Sequence, residues 1–127
     1  MNKNILIITD GSTKTNELAA EIKTALKGNK VITKDASEFQ GTDLLPSEVF
    51  FLGCEMPEPN SFAYVADLFK HINLAGRPCG VFSPDSKKAA KYLAGLLKDS
   101  EAALNPQHLS SSTDVGSWAK SVISQTA

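Results

Sequence analysis

This 127-residue sequence predicts a doubly wound α/β fold: a five-stranded parallel sheet in the order 2-1-3-4-5 with helices on both faces. Three observations lead there. Asn4–Thr9 (NILIIT) and Val49–Gly53 (VFFLG) are apolar runs without polar alternation, as strands covered on both faces must be. Between such runs, apolar residues recur at spacings of three and four, the period of a helix with one buried face. The two kinds of segment alternate, which is the order that strand–helix–strand crossovers generate.

The elements follow in turn. Asn4–Thr9 is the first strand, and Thr15–Leu26 the first helix, with Leu18, Ile22, Ala25 and Leu26 along one side. Lys30–Lys34 (KVITK) is a weaker, more alternating strand, suited to a place nearer an edge. Residues 35–47 (DASEFQGTDLLPS) keep no helical period and carry Gly41 and Pro46, so they read as an irregular crossover with room for one helical turn. After the third strand, Val49–Gly53, the helix Ser61–Ile72 turns Phe62, Val65, Phe69 and Ile72 inward. Pro78–Ser83 (PCGVFS) is the fourth strand, and Lys87–Leu97 a helix with Ala89, Leu93, Leu96 and Leu97 as its stripe. The fifth strand falls within Ala102–Leu109, where Pro106 points to an edge or a break. Val115–Ile123 is the last helix, with Trp118 and Val122 on its inner side and Asp114 as its N-cap.

Composition narrows the function classes. The length suits a single domain over residues 1–127, and 42% hydrophobic with 21% charged residues is ordinary globular usage. A net charge of −1 with no basic block gives no footprint for nucleic acid or an anionic membrane. The apolar run after Asn4 is too short for a secretory signal core and no stretch is long enough to span a membrane, so a cytoplasmic location is expected. Cys54 and Cys79 form no CxxC and read as free thiols; His71 and His108 show no ligand spacing to them, so no metal is expected.

Ligands of such sheets bind beyond the carboxyl ends of the strands. Three loops matter there: Thr9–Thr15, Gly53–Ser61 and Ser83–Ser86. The first reads Asp10-Gly11-Ser12-Thr13-Lys14-Thr15, nearly all small or hydroxylated. Such a turn either caps a helix or holds an anion. Gly11 lets a ligand approach the backbone, Ser12, Thr13 and Thr15 offer hydroxyl donors, and the helix N-terminus favours negative charge. Asp10 opposes an anion: a carboxylate about 6 Å from a phosphate costs about 2–3 kcal/mol at an effective dielectric near 20, before Lys14 offsets any of it. Turned away, Asp10 would instead cap the helix.

These residues together resemble the flavodoxin family over nearly the whole chain. Anchored on Thr15, Ala19 and Ile22, the first loop has the length and final threonine of that family's Ser/Thr-x-Thr-Gly-Asn-Thr, with Ser12 where its first threonine would stand. "DLLPSEVFFLGCEMPEP" looks like the family's third strand and flavin loop. "INLAGRPCGVFSPDS" is similar to its Leu-x-Gly-Lys-x-x-x-Val-Phe-Gly stretch with the second flavin loop, and "SWAKSVI" to its last helix. The resemblance implies an FMN-binding, low-potential electron carrier with no catalytic residue, serving redox partner proteins. It assigns the phosphate to Asp10, Gly11, Ser12, Thr13, Lys14 and Thr15. The ring falls to Gly53, Cys54, Glu55, Met56 and Pro57 and to Ser83, Pro84 and Asp85, with Met56, Phe62 or Tyr64 as its cover.

The chain departs from the family pattern at Asp10 and in a third loop without an aromatic, Tyr92 lying six residues beyond Ser86. It is also shorter and far less acidic than usual members. The departures imply an alternative: a flavodoxin-like domain that binds FMN weakly or not at all and acts as a binding or interaction module. "FFLGCEMPEP" also looks like the Leu-Asp-x-x-Met-Pro of receiver domains, but Gly53 stands where the phosphorylated aspartate would be. A thiol enzyme built on Cys54 has no histidine near it in sequence.

Overall fold

Strands that are apolar throughout need helices on both sides, and the chain supplies them. The computed structural model describes residues 3–74, 76–84, 86–98, 100, 102–104 and 114–124. Its elements are β1 (Asn4–Thr9), α1 (Thr13–Ala25), β2 (Lys30–Asp35), α2 (Gly41–Leu44), β3 (Val49–Gly53), a 3-10 turn (Asn60–Phe62) running into α3 (Ala63–Phe69), β4 (Pro78–Phe82), α4 (Lys87–Leu96), β5 (Ala103–Leu104) and α5 (Val115–Ile123). All neighbouring strands pair in parallel in the order β2-β1-β3-β4-β5, as the sequence predicts.

Alternate side chains of the central strands point to opposite faces. Ile5, Ile7, Val49, Phe51 and Phe82 pack with Leu18 and Ile22 of α1 and with Trp118 and Val122 of α5. Leu6, Ile8, Phe50, Leu52, Cys79 and Val81 pack on the other face with Leu44, Phe62, Val65, Phe69 and Leu93. Burying each large side chain contributes about 1.5–3 kcal/mol, so both layers are needed. The alternating strand β2 lies at the edge, with Ile32 44% exposed.

Two glycines let the α1/α5 face close. Phe82 is registered opposite Gly53, and its ring occupies the space a Cβ on Gly53 would need. A Cβ on Gly80 would lie 2.8 Å from the Trp118 indole, which also meets Phe51 at 5.4 Å between ring centroids.

Element ends follow from capping. Ser12 Oγ accepts from the Thr15 N–H at 3.3 Å, so α1 begins at Thr13, two residues before the Thr15 that the sequence suggests. Asp114 caps α5 as expected, accepting from the Ser117 N–H at 3.2 Å. The last turn before Ile72 is not α-helical: the N–H groups of Lys70 and His71 donate to carbonyls three residues back, tightening the chain after Phe69. The crossover does hold one helical turn, α2. Gln40 N–H donates to the Asp43 carboxylate at 2.9 Å, and the Arg77 guanidinium donates to Leu44 O at 2.9 Å. Strand β5 is two residues long; residues 105–109 of the segment expected for it, with Pro106 and His108, lie outside the described residues. Among the described residues no helix is long and apolar enough to cross a membrane.

Because the Phe82 ring fills the Gly53 site, Gly53→Ala should lower stability by about 1–3 kcal/mol, the usual scale of overpacking. Urea denaturation reads this directly, and adding Phe82→Leu should recover part of the loss. An unchanged midpoint in Gly53→Ala would show that the ring has room to move.

Candidate functional site

Thr9 is registered with Gly53, and Gly53 with Phe82, so β1, β3 and β4 end side by side. The three loops singled out in the sequence therefore leave the sheet together, at the position where open α/β sheets bind ligands.

In the first loop nearly every polar side chain has a partner within the loop. Thr9 Oγ1 donates to Asn16 Oδ1 at 2.8 Å and accepts from the Gly11 N–H at 3.3 Å. Ser12 Oγ donates to Thr15 Oγ1 at 2.7 Å while accepting the Thr15 N–H. Thr15 is wholly buried, so its hydroxyl holds Ser12 in place and does not face solvent. Thr13 and Lys14 are exposed at the start of α1. Gly11 has φ +81°, and Asp35 Oδ2 sits where a Cβ on Gly11 would go, so both conformation and close approach demand glycine. Asp35 is held in turn by the Ser37 N–H and hydroxyl, donating at 2.9 and 2.8 Å.

Asp10 does not cap α1; Ser12 does. Instead its carboxylate bridges two loops, Oδ1 accepting from the Ser12 N–H at 3.1 Å and Oδ2 from the Glu55 N–H at 2.8 Å. Hydrogen bonds to a charged acceptor are worth about 1.5–3 kcal/mol each, so this is a strong tie between segments 45 residues apart.

In the second loop Gly53 and Cys54 are buried, Glu55 and Pro57 half-buried, and Met56 64% exposed. Glu58 has φ +52°, a left-handed conformation that costs a non-glycine residue about 1–2 kcal/mol. Burial first, and the Asp10 carboxylate second, push the Cys54 thiol up to about 12; burial raises Cys79 as well. Both thiols are protonated at neutral pH and unsuited to nucleophilic work. Phe62 lies wholly in the core. Tyr64 is turned away, lining a groove of about 600 Å³ between α2 and α3, where its hydroxyl accepts from the Gly41 N–H at 3.0 Å. The half-buried Tyr92 of α4 lies within electrostatic reach of the second loop: its phenol is pushed up by burial, then by Cys54 and Glu58.

In the third loop Ser83 and Pro84 are buried, and Ser83 Oγ accepts from the Ser86 N–H at 3.2 Å; Asp85 lies outside the described residues. Ser86 then caps α4 through the Ala89 N–H at 3.0 Å. Among the described residues no group of three or more His, Cys, Asp or Glu side chains is placed to hold a metal. Sequence reasoning missed Asp35 and Asn16. The signal for Asp35 was its place at the end of the strand beside β1, masked by the irregular stretch it opens.

Native protein at pH 8 should resist thiol-reactive disulfide reagents, and both cysteines should react once it is unfolded. Below about pH 9 the Cys54 thiol is protonated folded or unfolded. Between about 9 and about 12 the unfolded chain gives up a proton that the native state keeps, so stability falls as pH rises through that window. Urea midpoints measured across it should fall less steeply in Cys54→Ala than in the natural chain.

No family model matches the chain, and no curated protein matches it in sequence. Solved structures do. A short-chain flavodoxin associated with a non-canonical PDU bacterial microcompartment superposes with a TM-score of 0.82 at 12% identity, covering 97% of both chains. Flavodoxin 2 from Bacillus cereus, in its oxidised form, gives 0.80 at 19% identity, and the flavodoxin of Streptococcus pneumoniae TIGR4 gives 0.79 at 14%; each match covers 94% of this chain and 97% of the other. Over nearly its whole length, this chain has the flavodoxin-like fold.

Proposed function

We propose that the chain binds FMN at the ends of β1, β3 and β4 and serves as a low-potential electron carrier for redox partner proteins. The observation that carries this reading is the convergence of the turns after β1, β3 and β4 at one end of the sheet, beside the start of α1. The flavodoxins that share the fold support it by analogy.

The residues present suit the phosphate group in donor type. Thr13 and Lys14 are exposed at the N-terminus of α1 and Ser12 is fixed by Thr15, while the space beside Gly11 is taken by the Asp35 carboxylate. Asp10 and Asp35 are the discordant members. Met56 and Tyr92 are the apolar and aromatic groups beside the second loop for the ring. FMN, when bound, supplies the redox chemistry of its ring. The protein's part is to orient it and to set its potential, and Glu55 and Glu58 would oppose negative charge arriving nearby and so lower that potential.

A second reading, a cofactor-free interaction module, is favoured by the two carboxylates at the first loop, Asp10 on Ser12 and Asp35 against Gly11. One titration separates the two. FMN fluorescence should be quenched saturably by the purified protein. Thr15→Ala, which removes the support of Ser12, should weaken binding by about 1–2 kcal/mol, roughly tenfold. No saturation at about 1 mM FMN, an affinity of only about 4 kcal/mol, would overturn the carrier in favour of the module.

A further inference from the structure

We propose that Asp10 makes this site self-occupied: its carboxylate takes the donors that an anionic ligand needs, and a phosphate group enters the first loop by displacing it. The inference rests on the anion-binding reading of that loop. It adds that occupancy of the first loop controls the conformation of the second.

Ser12 Oγ is already engaged with Thr15 both as donor and as acceptor, so the Ser12 N–H is the group of that residue an oxyanion would compete for. Asp10 Oδ1 holds it at 3.1 Å. A carboxylate and a phosphate ask for the same N–H geometry and carry the same sign, so they do not share one donor. The neighbouring carboxylate, Asp35, is tied to the Ser37 N–H and hydroxyl and has its own position against Gly11. Asp10 is therefore the group that yields. Its other oxygen holds the Glu55 N–H at 2.8 Å, so when Asp10 leaves Ser12 the tie to the second loop goes with it.

Two consequences follow. Affinity for an anion is reduced by the fraction of molecules in which Asp10 is seated. By linkage, whatever holds the second loop closed on Asp10 weakens anion binding, and an anion loosens the second loop by the same factor. A carboxylate that merely braced the two loops would not respond to ligand at all.

The test uses inorganic phosphate as the probe and amide hydrogen exchange at Glu55 as the second readout. Asp10→Ser should bind phosphate at least about tenfold more tightly at low salt, and the gain should shrink as salt rises. Asp10→Asn, which keeps the shape without the charge, should recover most of the same gain and serves if the serine variant fails to fold. In the natural chain, saturating phosphate should raise exchange at Glu55 to the rate seen in Asp10→Ser without ligand. Equal phosphate affinity in all three proteins, no phosphate binding by any of them, or Glu55 exchange indifferent to phosphate each overturns the proposal. FMN titrated in parallel keeps the two ideas apart: phosphate behaving as stated without FMN binding leaves Asp10 in its role and removes the flavin reading.

Discussion

Covering three adjacent parallel strands on both faces is the constraint on which the rest of this structure depends. β1, β3 and β4 carry almost no polar side chain, so α1 and α5 must close one face while α2, α3 and α4 close the other. Parallel pairing then obliges each strand to return through a crossover, and the turns that follow β1, β3 and β4 all leave at the same end. The candidate site is a by-product of that geometry. Its residues are brought together by the hydrophobic registration of the strands beneath them, whatever chemistry they carry.

What those turns then do with their polar groups differs from a simple anion cradle. Thr9 with Asn16, Ser12 with Thr15, Asp35 with Ser37, and Asp10 with both Ser12 and Glu55 satisfy one another. Satisfied networks of this kind are rigid, and they hold their shape without a ligand. The Ser12 N–H is part of that network, so a group that took it would exchange a new hydrogen bond for an old one.

The strands and the sheet order were legible because their cause is local and redundant: long apolar runs, caps, and alternation of periods. Val49–Gly53 and Val115–Ile123 appear in the structure with the bounds the sequence suggests. The start of α1 was not, since a row of hydroxylated residues offers several caps and only three-dimensional geometry selects Ser12. The loops of the site could be named from topology. The partner of Asp10 could not: no spacing rule connects residue 10 to the backbone of residue 55. Phe62 and Tyr64 illustrate the same limit. Two aromatics so near in sequence go, one to the core and one to the α2–α3 groove, because side chains two positions apart along a helical segment do not share a face.

The pairing of missing side chains with large rings on the α1/α5 face has a bearing on how such a chain changes over generations. At Gly53 and Gly80 the absent side chain and the ring of Phe82 or Trp118 are two halves of one volume. Enlarging the glycine first collides with a ring; shrinking the ring first opens a cavity. Each order passes through a damaged intermediate, so the members of a pair are free to drift only together. Substitutions at the exposed Thr13 and Met56 meet no such barrier. The exposed turns above the sheet can therefore be revised one residue at a time, over a floor that resists revision.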